Sequence, residues 1–345
     1  MCGILSVHSY LYCSVSSLDK ILVFDMDKIT GELEQTQVVA VPGSPAPLTV
    51  HPMKQSLYVA QRGNNQISSF SINQSTGHLT ALYSVRLNSD PCYIATDKSG
   101  KFLLSAYYKA GAVSVHSIGG ERHLEILPID WISTATGAHC IMTDPSNSYA
   151  FVPHIAGEDG PNTVLQFKFN SATGQLSPNS PHIISPDQSA GPRHFCFHPK
   201  KDIVYFSNEQ GSSVTAYSMD TVTGCLQPFQ TLSTLPSNFV NTNTCAQIHI
   251  DPSGKFLYVS NRGHDSIACF VIDSADGSLK LTENLNTQKT PRAFCVSAEG
   301  KFLFVAGLDS GVLEVHKIDQ STGTLEIVGT YPVGKGVMWI TQIDL

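Results

Sequence analysis

The chain has 345 residues, 14% of them charged, and a formal net charge of −7; that length exceeds one ordinary core but suits a closed repeat. The acidic balance argues against a nucleic-acid or membrane-surface role, because such proteins carry a basic footprint. The 26 glycines and 19 prolines, set among short runs of Val, Ile, Tyr and Phe, favour many short strands and tight turns over long helices.

The opening stretch, MCGILSVHSYLYCSV, has neither a basic start nor a long apolar run. No signal peptide or membrane span is expected from it. Nine cysteines follow along the chain, at Cys2, Cys13, Cys92, Cys140, Cys196, Cys225, Cys245, Cys269 and Cys295. With an odd count and no CxxC they fit no zinc or disulfide framework, and read as buried thiols of a reducing, cytoplasmic compartment.

From residue 9 onward one pattern recurs seven times: SYLYCSV, QSLYVAQR, GKFLLSAYY, NSYAFVPH, KDIVYFSNE, GKFLYVSNR and GKFLFVAG. The equivalent residues Tyr12, Tyr58, Leu104, Phe151, Tyr205, Tyr258 and Phe304 are 46, 46, 47, 54, 53 and 46 apart, the length of a four-stranded propeller blade. A second apolar run follows each, from KILVFDMD to VLEVHKID, and most of these lead into a TGxL or DGxL turn whose glycine supplies positive φ. Before six of the central runs stands another short strand: PLTVHP, PCYIATD, AHCIMTDP, PRHFCFHP, AQIHIDP and PRAFCVS. The seventh is displaced to the C-terminus as VMWITQIDL, so it should complete the N-terminal blade. The pattern predicts an all-β, seven-bladed β-propeller, residues 1–345 forming a single domain whose ring is closed by the C-terminal strand.

Within each blade the strands are labelled a to d from the central channel outward. Antiparallel neighbours put the start of every a strand and the end of every b strand on one face, around one mouth of the channel. That is where the anomalous polar residues fall. The a starts carry His139, Arg193, His194 and Arg292; the b ends carry Arg62, Tyr107, His154, Asn208, Glu209, Asn261 and Arg262. Arginines could simply pair with acids between blades, but Glu209 is the only carboxylate at these positions and cannot neutralise four cations. An anionic ligand would, and guanidinium forks suit carboxylate or phosphate. His51 and His198, in HP turns at the opposite face, read as structural, and His249 lies deeper along its strand, where a hydrogen-bonded core residue is as good a reading as a functional one. No metal cage, GxSxG elbow, P-loop or GxGxxG is present, and Asp144, Asp251 and Asp273 sit in turns that Asp commonly caps.

The ordered set AGPRHFCFHP with YFSNE, AQIHIDPSGKFLYVSNR and YPVGKGVMW resembles the propeller lactonase family, above all its bacterial 6-phosphogluconolactonases and more distantly the fungal carboxymuconate cyclases. The resemblance implies hydrolysis of 6-phospho-D-glucono-1,5-lactone to 6-phosphogluconate, in the pentose phosphate pathway, without metal or cofactor. Carried over by position, the family's catalytic set falls on His139, Arg193, Glu209 and Arg262. Arg62, His194, Asn208 and Arg292 are then the substrate-binding candidates, for a small anionic sugar lactone. Segment 153–161, PHIAGEDGP, departs from the family in carrying His154 and an acidic loop. Neither nucleic acid nor membrane is expected as a partner, and the oligomeric state is read as monomer or weak dimer. Two other readings are a lactonising or hydrolytic enzyme for a different anionic lactone, and a non-catalytic propeller that binds a partner.

Overall fold

The computed structural model describes residues 8–157, 160–187 and 189–345. Cys2 and the acidic pair Glu158 and Asp159 of the 153–161 segment lie outside them. Among the described residues twenty-eight strands form seven four-stranded antiparallel sheets arranged as blades of a ring. Six blades are consecutive meanders; the first is composite. There the C-terminal strand Val337–Asp344 pairs antiparallel with Ser9–Val15, from Ser9 opposite Asp344 to Ser14 opposite Trp339, inside Lys20–Met26 and Leu33–Ala40. Ring closure by one strand from one terminus and three from the other is as expected.

Each b strand is apolar along most of its length because both its faces are buried, one against each neighbouring blade. Leu11 and Cys13 pack on the last blade with Phe302 and Phe304, whereas Tyr10 and Tyr12 pack on the second with Leu57 and Phe70. Among the described residues seven such apolar clusters occur, one in every gap between blades. Stability is therefore distributed around the ring rather than held in a single core.

The recurrent tyrosines and the turn glycines are two halves of one contact. Tyr12, Tyr205 and Tyr258 donate their hydroxyls to the carbonyls of Gly77, Gly277 and Gly323 on the following blade, at 2.8, 2.7 and 2.9 Å. Gly77 has φ of 66°, and a Cβ there would stand 2.3 Å from the ring of Tyr10. The residue must be glycine both for its backbone and for the aromatic ring lying against it. The third blade lacks the TGxL turn; it has a short 3-10 segment, Gly120–Arg122, and Tyr58 donates to the Arg122 carbonyl instead, at 3.1 Å.

At the far end of the channel His51 and His198 play the structural part expected. Nδ1 of each accepts a backbone N–H, from Met53 and Lys200, so Nε2 carries the proton and donates to Gly100 and Gly254 carbonyls at 3.0 and 3.1 Å. Asp144 and Asp251 cap their turns through both carboxylate oxygens.

One feature of the inner strands was not foreseen. In five blades the a strand slips register near its start: between Pro45 and Leu48, Pro192 and His194, Cys245 and Ile248, Pro291 and Ala293, and where Met338 is skipped between Val337 and Trp339. Such bulges leave residues out of the ladder and re-aim their side chains. The fourth blade departs further: its inner strand is only Met142–Thr143, and Ala138 meets His154 through an isolated bridge. His139 thus sits on an irregular stretch rather than in the ladder predicted across AHCIMTDP.

Candidate active site

The bulges decide what faces the mouth. Arg193 is the extra residue between the pairs Pro192 with Asn208 and His194 with Ser207, and Arg292 the extra residue between Pro291 with Gly307 and Ala293 with Ala306. Both guanidiniums consequently line the end of the channel, with Arg62, His139, His194, Gln247, Met338 and Trp339, and with Ala46, Pro47 and Cys92 completing the wall. The space enclosed among them holds about one water molecule.

Glu209 stands between two cations. Its carboxylate lies 2.6 Å from Nε of Arg193, though off the N–H direction, and 3.2 Å from a terminal nitrogen of Arg262 in the next blade. Arg262 also donates to the Cys245 carbonyl at 2.9 Å. The position of Glu209 is set by its N–H bond to the Gly191 carbonyl, 2.6 Å. Gly191 has φ of 68°, and a Cβ there would collide with the amide of Gln210. Burial pushes the Glu209 carboxyl up, but Arg193 and Arg262 outweigh it and hold the group below the usual carboxylate range. Arg193, 2% exposed, is brought down to about 10 by burial, with Arg262 adding to the fall and Glu209 opposing it.

Arg292 is different. Among the described residues it has no hydrogen-bonding or ion-pair partner, and burial together with Arg193, Arg262 and Arg62 lowers it to about 9. Arg62 is not free: it meets Asp90 at 2.8 Å. Glu209 remains the only carboxylate at the repeat positions, and Asp90 adds a second acid from the loop before the next blade. Among the described residues four guanidiniums still face two carboxylates.

The histidines stay neutral. Burial first, then Arg193 and neighbouring cations, hold His139 and His194 well below their ordinary value. The Nδ1 of His139 and the Nε2 of His194 are buried without a partner. Their rings belong to an aromatic chain descending from the rim: Tyr108 to His139 at 5.6 Å, His139 to His194 at 5.2 Å, and His194 to Tyr93 and Trp339 at 5.1 and 5.9 Å between centroids. His249 lies beneath, edge-on to Phe294, and burial lowers it to about 4.

Four residues expected at the mouth turn away from it. Asn208 donates to Ser213 and Thr215 hydroxyls, both at 2.9 Å, and so is blade packing rather than ligand wall. Asn261 likewise bonds Thr234 and Ser266, Tyr107 meets Ser114, and His154 donates to the Val152 carbonyl. The reason is strand alternation: neighbours in sequence point to opposite faces, so Glu209 reaches Arg193 and Arg262 reaches Glu209, just outside the side chains that line the cavity, while the residues just before them cannot. The sequence reading missed Gln247, Trp339 and Asp90; the first two occupy bulged or terminal a-strand positions that the repeat alignment already exposed. Among the described residues no group of His, Cys, Asp and Glu side chains converges to hold a metal ion.

Fold and mouth together define a seven-bladed propeller with a cationic cluster and neutral imidazoles at one end of its channel. The chain belongs to the lactonase family of seven-bladed β-propellers, whose family model matches residues 11–342. It is 36% identical over 315 residues to the 6-phosphogluconolactonase of Pectobacterium carotovorum, covering 91% of this chain and 93% of that one. The 6-phosphogluconolactonase of Yersinia pestis is 34% identical over 331 residues, 96% of this chain and 97% of its own. A crystal structure from Bacteroides fragilis, provisionally titled a 6-phosphogluconolactonase, superposes with a TM-score of 0.88 at 25% identity, covering 100% of both chains. The periplasmic gluconolactonase of Pseudomonas aeruginosa shares the fold with a TM-score of 0.89 at 23% identity, over 98% of this chain and 99% of the other.

Proposed function

We propose that this chain hydrolyses 6-phospho-D-glucono-1,5-lactone to 6-phosphogluconate, with its reaction centre at His139, Arg193, Glu209 and Arg262. The observation that carries the reading is the surplus of guanidinium charge at the mouth, including the unpartnered Arg292, set beside the neutral imidazole of His139, whose Nδ1 is buried without a partner. An anionic ester with a carbonyl supplies what both groups lack.

In this reading Arg292, with His194 beside it, receives the anionic end of the substrate, and Arg62 supports it from its pair with Asp90. His139 takes a proton from the attacking water, whose oxygen bonds to the lactone carbonyl carbon. Arg193 meets the charge that develops on the carbonyl oxygen, a contribution of about 3 kcal/mol for a well-aimed donor in a desolvated site. As the bond from that carbon to the ring oxygen breaks, His139 returns the proton to the departing oxygen. An imidazole surrounded by cations holds that proton weakly, which favours its return. Glu209 holds Arg193 and Arg262 in place. Eight free thiols and the absence of a disulfide among the described residues support a cytoplasmic setting.

The test is hydrolysis of 6-phosphogluconolactone beside unphosphorylated gluconolactone, with spontaneous opening subtracted. A preference of about 100-fold in kcat/KM for the phosphorylated lactone is expected, with loss of at least about 100-fold in kcat for His139→Gln. Equal rates on both lactones would reassign the substrate, and an undiminished His139→Gln would remove that residue from the mechanism.

A further inference from the structure

Gln247 has a feature that packing alone does not explain. Its Oε1 accepts the Phe294 N–H at 2.9 Å, joining the sixth blade to the seventh, and its own N–H donates to Ser260 Oγ at 3.1 Å. Only the oxygen of a carboxamide can accept from an N–H, so this bond settles which end of the side chain faces the mouth. Nε2 is the free end. The residue is 2% exposed and lines the mouth, yet among the described residues nothing answers Nε2. With its oxygen fixed by Phe294, the amide points this donor into the mouth, where an oxygen of an entering ligand can accept from it. The register slip between Cys245 and Ile248 places it there, in the position that His194 takes in the fifth blade, whose N–H likewise meets the hydroxyl of Ser207.

We propose that Gln247 is a positioning residue for the uncharged part of the ligand: Nε2 donates to a hydroxyl or ring oxygen of a polyhydroxylated acid while the guanidiniums take its charge. The identity of that acid rests on the lactonase reading; the direction of the donor does not.

The experiment is calorimetric titration of the full chain with two probes, 6-phosphogluconate and inorganic phosphate. In Gln247→Met the affinity for 6-phosphogluconate should fall about fivefold to tenfold, the worth of one neutral hydrogen bond, while that for phosphate stays within about twofold. Gln247→Glu keeps an acceptor for Phe294 and therefore the fold; its new charge weakens both probes, but 6-phosphogluconate by the same extra factor. Equal losses for both probes, or none for either, would overturn the proposal, and the Glu variant decides the matter if the Met variant does not fold. Wild-type lactone hydrolysis is read separately. No hydrolysis with the probe difference intact overturns the reaction and leaves Gln247 its role, whereas a wild type that binds neither probe overturns both.

Discussion

Replacing Arg292 by methionine should make the free protein more stable and deprive it of its anion. The side chain is a guanidinium without a partner, lowered from its ordinary range to about 9 by burial and by three other arginines. At roughly 1.4 kcal/mol per pH unit, that fall sets a ceiling of about 5 kcal/mol on the cost of holding it charged in the folded state. Partial exposure at the mouth and solvent screening reduce the net figure to about 1–2 kcal/mol. A folded-state value below the unfolded one means that the charged form is the disfavoured one. The cost is present in full below about pH 9 and is relieved as pH rises from there toward the ordinary guanidinium range. Arg292→Met should accordingly melt about 1.5–3 °C higher than wild type at pH 7, with the gap shrinking above pH 9. Added phosphate should raise the melting temperature of wild type and leave that of the variant almost unmoved. Calorimetry at two pH values with and without phosphate reads all of this. A variant that melts lower than wild type without ligand, or that keeps the whole phosphate response, would refute the reasoning.

Glu209→Gln leaves Arg193 buried without its counter-charge, so a loss of about 3 kcal/mol in chemical denaturation is expected. Because the Glu209 carboxyl is held below the usual range, its stabilisation is present above the unfolded value and lost as pH falls through the folded one; the acid-unfolding difference between wild type and Glu209→Gln should vanish at low pH. Ile340→Ala, at the seam between the first and last blades, should cost about 2–4 kcal/mol, read from the denaturation midpoint. Tyr205→Phe removes the hydroxyl that reaches Gly277 and should cost about 1 kcal/mol, whereas Gly77→Ala, strained in backbone and pressed on Tyr10, should cost more than that.

The blades were legible because their physics is local and repeated. Seven apolar runs with phased turn glycines leave few architectures, and complementary termini point to ring closure. The site was legible in part, since arginines at strand ends are costly unless something at the mouth uses them. What the repeat could not tell was which of two adjacent residues faces the channel. Asn208 and Glu209 stand side by side in sequence, but only Glu209 reaches Arg193. Asp90 escaped notice for the opposite reason, because it comes from a loop with no counterpart in the pattern.

Sequence alone therefore determined the architecture, the closing strand and the end of the channel where chemistry is concentrated, because periodicity and the price of burying charge act on every copy alike. Tertiary structure alone decided the wiring of that end. Register slips in the inner strands turn Arg193, Arg292 and Gln247 toward the mouth, and contacts across blades pair Arg62 while leaving Arg292 alone. A bulge shifts side chains by one place in the alternation, and a cross-blade contact joins residues with no fixed separation along the chain. Both depend on how the sheets meet, which no single repeat encodes.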